Sequence, residues 1–100
     1  MGLFRKKQKI VFPFADSPNT AVFTCCHVMN RERPILYVAH DEDGDWQFLC
    51  GAEHSDEEAR LVALMEIVKL DPGIISLAQM ECGYCAESQD VSSPWNVLPM

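Results

Sequence analysis

No stretch of this chain approaches the ~18 consecutive apolar residues that a membrane-crossing helix requires, so a membrane partner is not expected. The opening Met-Gly-Leu-Phe-Arg-Lys-Lys-Gln-Lys has neither the apolar core nor the small-residue cleavage site of a secretory leader, and Lys6 stands where a myristoylation signal needs Ser or Thr. These absences point to a cytoplasmic protein. Basic residues are scarce beyond that arm: residues 11–100 carry 4 basic against 15 acidic groups, a balance of −11, within a whole-chain net charge of −7. Such a surface repels nucleic acid and favours a basic partner, or serves solubility. Also missing are a nucleophile elbow, a Gly-rich phosphate loop and an H-E-x-x-H zinc motif. The chain therefore reads as non-enzymatic, with no cofactor implied.

What is present suits one small domain. One hundred residues, 48% of them hydrophobic, can bury a single core and are too apolar for wholesale disorder. The chain divides into a basic arm at 1–9, one domain at 10–90 and a tail at 91–100, in which Trp95 covers an edge of the core. The clearest sheet signal is a hairpin. Pro34 to His40 is a compact apolar run, Asp41 to Asp45 is a turn rich in Asp with Gly44, and Trp46, Phe48 and Cys50 alternate with Gln47 and Leu49 at the strand period of two. An EF-hand does not fit that turn, because Trp46 and Ala52 stand where its sixth-position Gly and twelfth-position Glu belong.

Thr20 to Thr24 reads as another strand, Ile10 to Phe14, cut by Pro13, as an edge strand or an extended approach to the core, and Cys25 to Asn30 as either more strand or one helical turn. Ser55 and Glu58 form an S-x-x-E capping box, and Leu61, Leu64, Met65 and Val68 recur at i, i+3, i+4, i+7. That pattern predicts a long amphipathic helix from Asp56 to Leu70. Asp71-Pro72 then starts a short second helix, and Met80 to Ala86 returns as a strand kinked at Gly83. The expected fold is α+β: a small, mostly antiparallel sheet with one long amphipathic helix and one short helix packed on it.

Two constellations bear on function. Trp46 either fills the core between hairpin and helix or anchors a partner inside an acidic rim of Asp41, Glu42, Asp43 and Asp45. Cys82-Gly-Tyr-Cys85 is a lone Cys-x-x-Cys pair, readable as thiols packed like small hydrophobes, half of a zinc site, or a redox pair. Cys25-Cys26-His27 is set aside as a metal or nucleophile motif, since neighbours on a strand point to opposite faces. Cys50 with His54 matches no nucleophile motif, and Glu53 reads as part of a solvated helix start. No metal is assigned, and packed thiols are the preferred reading.

The run Asp-Gly-Asp-Trp-Gln-Phe-Leu-Cys-Gly at 43–51, followed by Lys-Leu-Asp-Pro-Gly-Ile-Ile-Ser-Leu at 69–77, resembles a bacterial family of small domains grouped with the immunity proteins of polymorphic toxin systems. The likeness spans about Val22 to Glu87, with Trp46, Phe48, Gly51 and Asp71-Pro72 as its signature. The family's Leu-Pro-x-Gly is replaced here by Met80-Glu81-Cys82-Gly83, which leaves Cys82 and Cys85 outside the shared pattern. The resemblance implies a non-catalytic α+β domain that binds and neutralises a toxin, and the acidic composition points to a basic toxin or another basic protein as that partner.

Overall fold

The computed structural model describes residues 12–52 and 55–100. The arm at 1–9, the first residues of the expected Ile10 strand, Glu53 and His54 lie outside them. A six-stranded sheet forms from β1 (Ala21–Cys25), β2 (Tyr37–His40), β3 (Trp46–Leu49), β4 (Ala59–Ala63), β5 (Tyr84–Glu87) and β6 (Asn96–Pro99), in the order β4-β1-β3-β2-β5-β6. The sheet is mixed, because β1 and β3 run parallel while the other neighbours are antiparallel. Two short helices, α1 (Cys26–Met29) and α2 (Leu64–Leu70), and 3-10 segments at Asp56–Glu58 and Pro72–Leu77 complete the described elements. None of the described helices is long and apolar enough to cross a membrane.

The long amphipathic helix expected over Asp56 to Leu70 is replaced by three elements. Part of the predicted capping box forms, with the Ser55 N–H donating to Glu58 Oε1 at 2.9 Å, but it closes a single 3-10 turn at Asp56–Glu58. Ala59–Ala63 then pairs along all five residues with the edge of β1. Those ladder hydrogen bonds, which one exposed helix face could not match, outweigh helix propensity. A helix begins only at Leu64, where the Leu64 and Met65 N–H groups donate to the carbonyls of Thr20 and Pro18 at 2.8 and 3.0 Å. The turn leading into β1 thus satisfies the orphan donors that a capping side chain would otherwise serve. The predicted stripe divides accordingly: Leu64 and Val68 are buried and Met65 half-buried, whereas Leu61 is 62% exposed on β4.

Other expectations meet the structure more closely. Asp41 Oδ1 accepts from the Asp43 and Asp45 N–H groups at 3.0 Å each, and Gly44 turns at φ 90, a region costly for a residue with a Cβ. Asp71 accepts from the Gly73 N–H at 3.0 Å ahead of Pro72, although the short helix that follows is 3-10 rather than α. Phe12 to Phe14 is not a strand, and Phe14 instead meets Trp46 edge-on at 5.2 Å. Residues 96–99 of the expected tail supply the outermost strand, where Pro99 is tolerated because an edge has one unpaired side. Trp95 packs half-buried against the core.

Strand register defines the two faces of the sheet. Val22, Phe48, Val38 and Ala86 share one face and form the core with Val28, Leu64, Ile67, Val68, Ile74 and Leu77 from the helical segments. Thr24, 1% exposed within that core, is satisfied by donating its hydroxyl to the Phe48 carbonyl of the parallel neighbour at 2.6 Å.

Candidate functional site

The second face of the sheet carries the most unusual surface. Its central row, read across all six strands by register, is Leu61, Phe23, Gln47, Ala39, Cys85 and Leu98. Ala39 and Cys85 are buried, but at the β4–β1 end Leu61 and Phe23 are 62% and 44% exposed. Beside them lies a groove of about 280 Å³ walled by Phe23, Gln47, Leu49 and Ala59. Phe23 and Leu61 face each other on adjacent strands and form an exposed apolar pair on this face. The cause is the replacement of the expected helix by β4: residues that a helix would have laid on the core instead widen the sheet and leave Leu61 outside.

The acidic turn stands at the end of β2 and β3. Glu42, Asp43 and Asp45 are exposed and Asp41 is half-buried, its carboxylate engaged in holding the turn. Trp46 does not join them as an exposed anchor. It is 2% exposed, stacked on His40 with centroids 3.8 Å apart and on Phe48 at 5.7 Å, with Phe14 against its edge. Of the five residues read as partner-binding, the four acids face or border solvent and the tryptophan is core.

The Cys-x-x-Cys pair is divided by the sheet. Cys82 is exposed in the turn before β5, its Sγ 3.6 Å from His40 Nε2, while His40 Nδ1 lies 2.8 Å from the Met80 carbonyl. A carbonyl only accepts, so Nδ1 carries the proton and Nε2 is the acceptor facing the thiol. Cys85 is buried on the other face beside Tyr37, three residues from His40 and so of opposite strand parity. Burial, and next the neighbouring Cys85, hold the Tyr37 phenol above its ordinary range. Neither Cys82 nor Cys85 belongs to a group of three metal-ligating side chains among the described residues.

A convergence that strand alternation hid lies at the other end of the molecule. β1 stops at Cys25 and α1 starts at Cys26, so the alternation of faces ends there and His27 turns back over the strand end. Because β1 and β3 are parallel, their C-terminal ends lie side by side, bringing Cys50, just past β3, to Cys25. One ligand atom each from Cys25, His27 and Cys50 lie within 4.8 Å of one another, and Cys26, His27 and Glu58 form a second group on the same criterion. Cys25 and Cys50 are 1% and 6% exposed. Arg33 donates toward Cys50 Sγ at 3.9 Å, and Glu58 Oε2 lies 3.5 Å from His27 Nε2. Burial raises the Cys25 thiol above its ordinary range. The cysteine-histidine run was visible in the sequence; the parallel pairing that completes it was not.

These features define a small mixed-sheet domain with one covered face, one partly open apolar face and an acidic hairpin turn. No family model, curated protein or solved structure matches the chain.

Proposed function

We propose that the chain is a non-catalytic, cytoplasmic protein-binding domain acting in the manner of the toxin-immunity proteins its sequence resembles. Its partner presents an apolar patch surrounded by basic residues and is neither nucleic acid nor membrane. The observation that carries this reading is the exposure of Phe23 and Leu61 on a sheet face of a chain whose residues 11–100 hold 15 acidic against 4 basic groups. Fully burying a side chain of either kind contributes about 1.5–3 kcal/mol, so covering their exposed parts supplies a modest hot spot. The acids of the hairpin turn, Glu42, Asp43 and Asp45, add attraction that acts mainly on the association rate and on the choice of partner.

An immunity role requires a toxin-like gene beside this chain's own, and the test is co-expression with the product of such a gene, followed by calorimetric titration of the two purified proteins. Expected are growth rescue and a complex that weakens with added salt. Phe23→Glu with Leu61→Glu abolishes the complex without lowering the melting temperature. An interaction indifferent to those substitutions overturns the proposal. So does a homodimer of the chain itself that Phe23→Glu dissolves, since the face would then belong to a second copy.

A further inference from the structure

We propose that Cys25, His27 and Cys50 bind a zinc-class divalent metal ion, in a site next to the groove beside Phe23, which Cys25 also lines. The sulfur and nitrogen donors already lie within 4.8 Å of one another. In a tetrahedral zinc site, with bonds of about 2.3 Å to sulfur and 2.0–2.1 Å to nitrogen, neighbouring ligand atoms stand about 3.5–3.8 Å apart. Closing from one spacing to the other requires about 1 Å of side-chain movement, which rotamer adjustment supplies. Two thiols and one imidazole select zinc or cobalt over magnesium and calcium, which prefer all-oxygen shells. The two thiols lose their protons to solvent on binding, and two thiolates neutralise a divalent ion, so the buried centre carries no net charge.

The surroundings match what such a centre needs. His27 Nδ1 is buried, while Nε2 faces the Glu58 carboxylate at 3.5 Å. With Nδ1 as the metal ligand, Glu58 accepts from Nε2–H and holds the ring, the carboxylate–histidine–metal arrangement that fixes tautomer and orientation. Arg33, donating toward Cys50 Sγ at 3.9 Å, stabilises the thiolate in the same way. The three ligands come from the end of β1, the first turn of α1 and the residue after β3, so the ion ties the parallel strand pair to the helix that follows it. The fourth position is left to water.

The test uses the full chain, stripped with a chelator and kept under reductant, titrated with cobalt(II) and then zinc. Expected is a thiolate-to-cobalt charge-transfer band that saturates at one ion per chain, is displaced by zinc and accompanies a rise in melting temperature. The band persists in Cys82→Ser/Cys85→Ser and in Cys26→Ser and disappears in Cys25→Ser and Cys50→Ser. Since replacing buried thiols can unfold the chain, His27→Gln at a half-buried position provides the second arm: far-ultraviolet circular dichroism is retained and metal affinity falls at least about tenfold. Glu58→Gln weakens binding less and keeps the band. A wild-type chain with no charge-transfer band overturns the site. So does a band lost in Cys82→Ser/Cys85→Ser or Cys26→Ser, or a His27→Gln variant that binds as tightly as wild type.

Discussion

Replacing Trp46 by Ala tests whether the tryptophan is core or surface, because the two roles differ by several kcal/mol. A buried tryptophan removes about 150–250 Å² from water, which at ~25 cal/mol per Å² is about 4–6 kcal/mol, an upper bound because unfolded chains are themselves partly collapsed. Trp46 is 2% exposed and its ring meets His40, Phe48 and Phe14. Losing it leaves a cavity that this cluster only partly fills, so the expected loss is the ~3–5 kcal/mol typical of a buried aromatic truncated to alanine. Against a total stability of about 5–15 kcal/mol, that moves the urea midpoint far toward zero at an unchanged slope. Trp46→Phe keeps a ring in the stack, loses less and stays folded, so the series can be measured even if the alanine variant is unfolded in water. The assay is urea denaturation followed by circular dichroism. A Trp46→Ala loss below about 1 kcal/mol, near the ±0.5 kcal/mol of ordinary surface changes, would refute the reasoning.

Leu61→Lys and Ile67→Ala separate the observed elements from a continuous helix. Leu61 is 62% exposed and Ile67 is 0% exposed, so the first change is expected within about ±0.5 kcal/mol and the second to cost about 2–5 kcal/mol; thermal melts check both. Arg31 holds φ 61 after α1, a left-handed conformation that burdens a non-glycine residue by about 1–2 kcal/mol. Part of that is regained through the looser unfolded state of a glycine chain, so Arg31→Gly is expected to raise stability by about 0.5–1 kcal/mol in chemical denaturation. The Tyr37 phenol titrates above its ordinary value near 10.0 because of burial and then Cys85. Its folded pKa exceeds its unfolded one, so the stability it contributes is complete below the unfolded value and is lost as pH rises through the folded one. Denaturation midpoints should therefore fall more steeply above pH 10 in wild type than in Tyr37→Phe; equal slopes would count against the burial of that hydroxyl.

The hairpin was legible because its signals are local. Asp41 and Gly44 fix the turn within five residues, and Trp46 to Leu49 alternate on a strand whose buried and half-buried positions follow the same period. The helix over Asp56 to Leu70 does not form for a physical reason: Ser55 and Glu58 make half of a capping box, and the i, i+3, i+4 spacing after it is real, but an unpaired edge of β1 competes for Ala59–Ala63 and wins. No local pattern reports that such an edge is vacant. The same limit hid β6, where Pro99, and Pro94 just ahead of the strand, disguise it as a tail. It also hid the meeting of Cys25, His27 and Cys50, which depends on a parallel pairing and on a strand becoming a helix between two adjacent cysteines. The acidic turn was found, whereas the apolar face beside it became visible only once Leu61 and Phe23 were placed on neighbouring strands.

Everything proposed about the open face depends on residues 59–63 extending the sheet alongside β1. Backbone chemical shifts and interstrand nuclear Overhauser effects on labelled protein measure this directly. The account predicts extended-chain shifts from 59 to 63, helical shifts from 64 to 70, and cross-strand contacts joining Phe23 to Leu61 and Val22 to Val62. Unbroken helical shifts from 56 to 70, with no contact between those pairs, would contradict it.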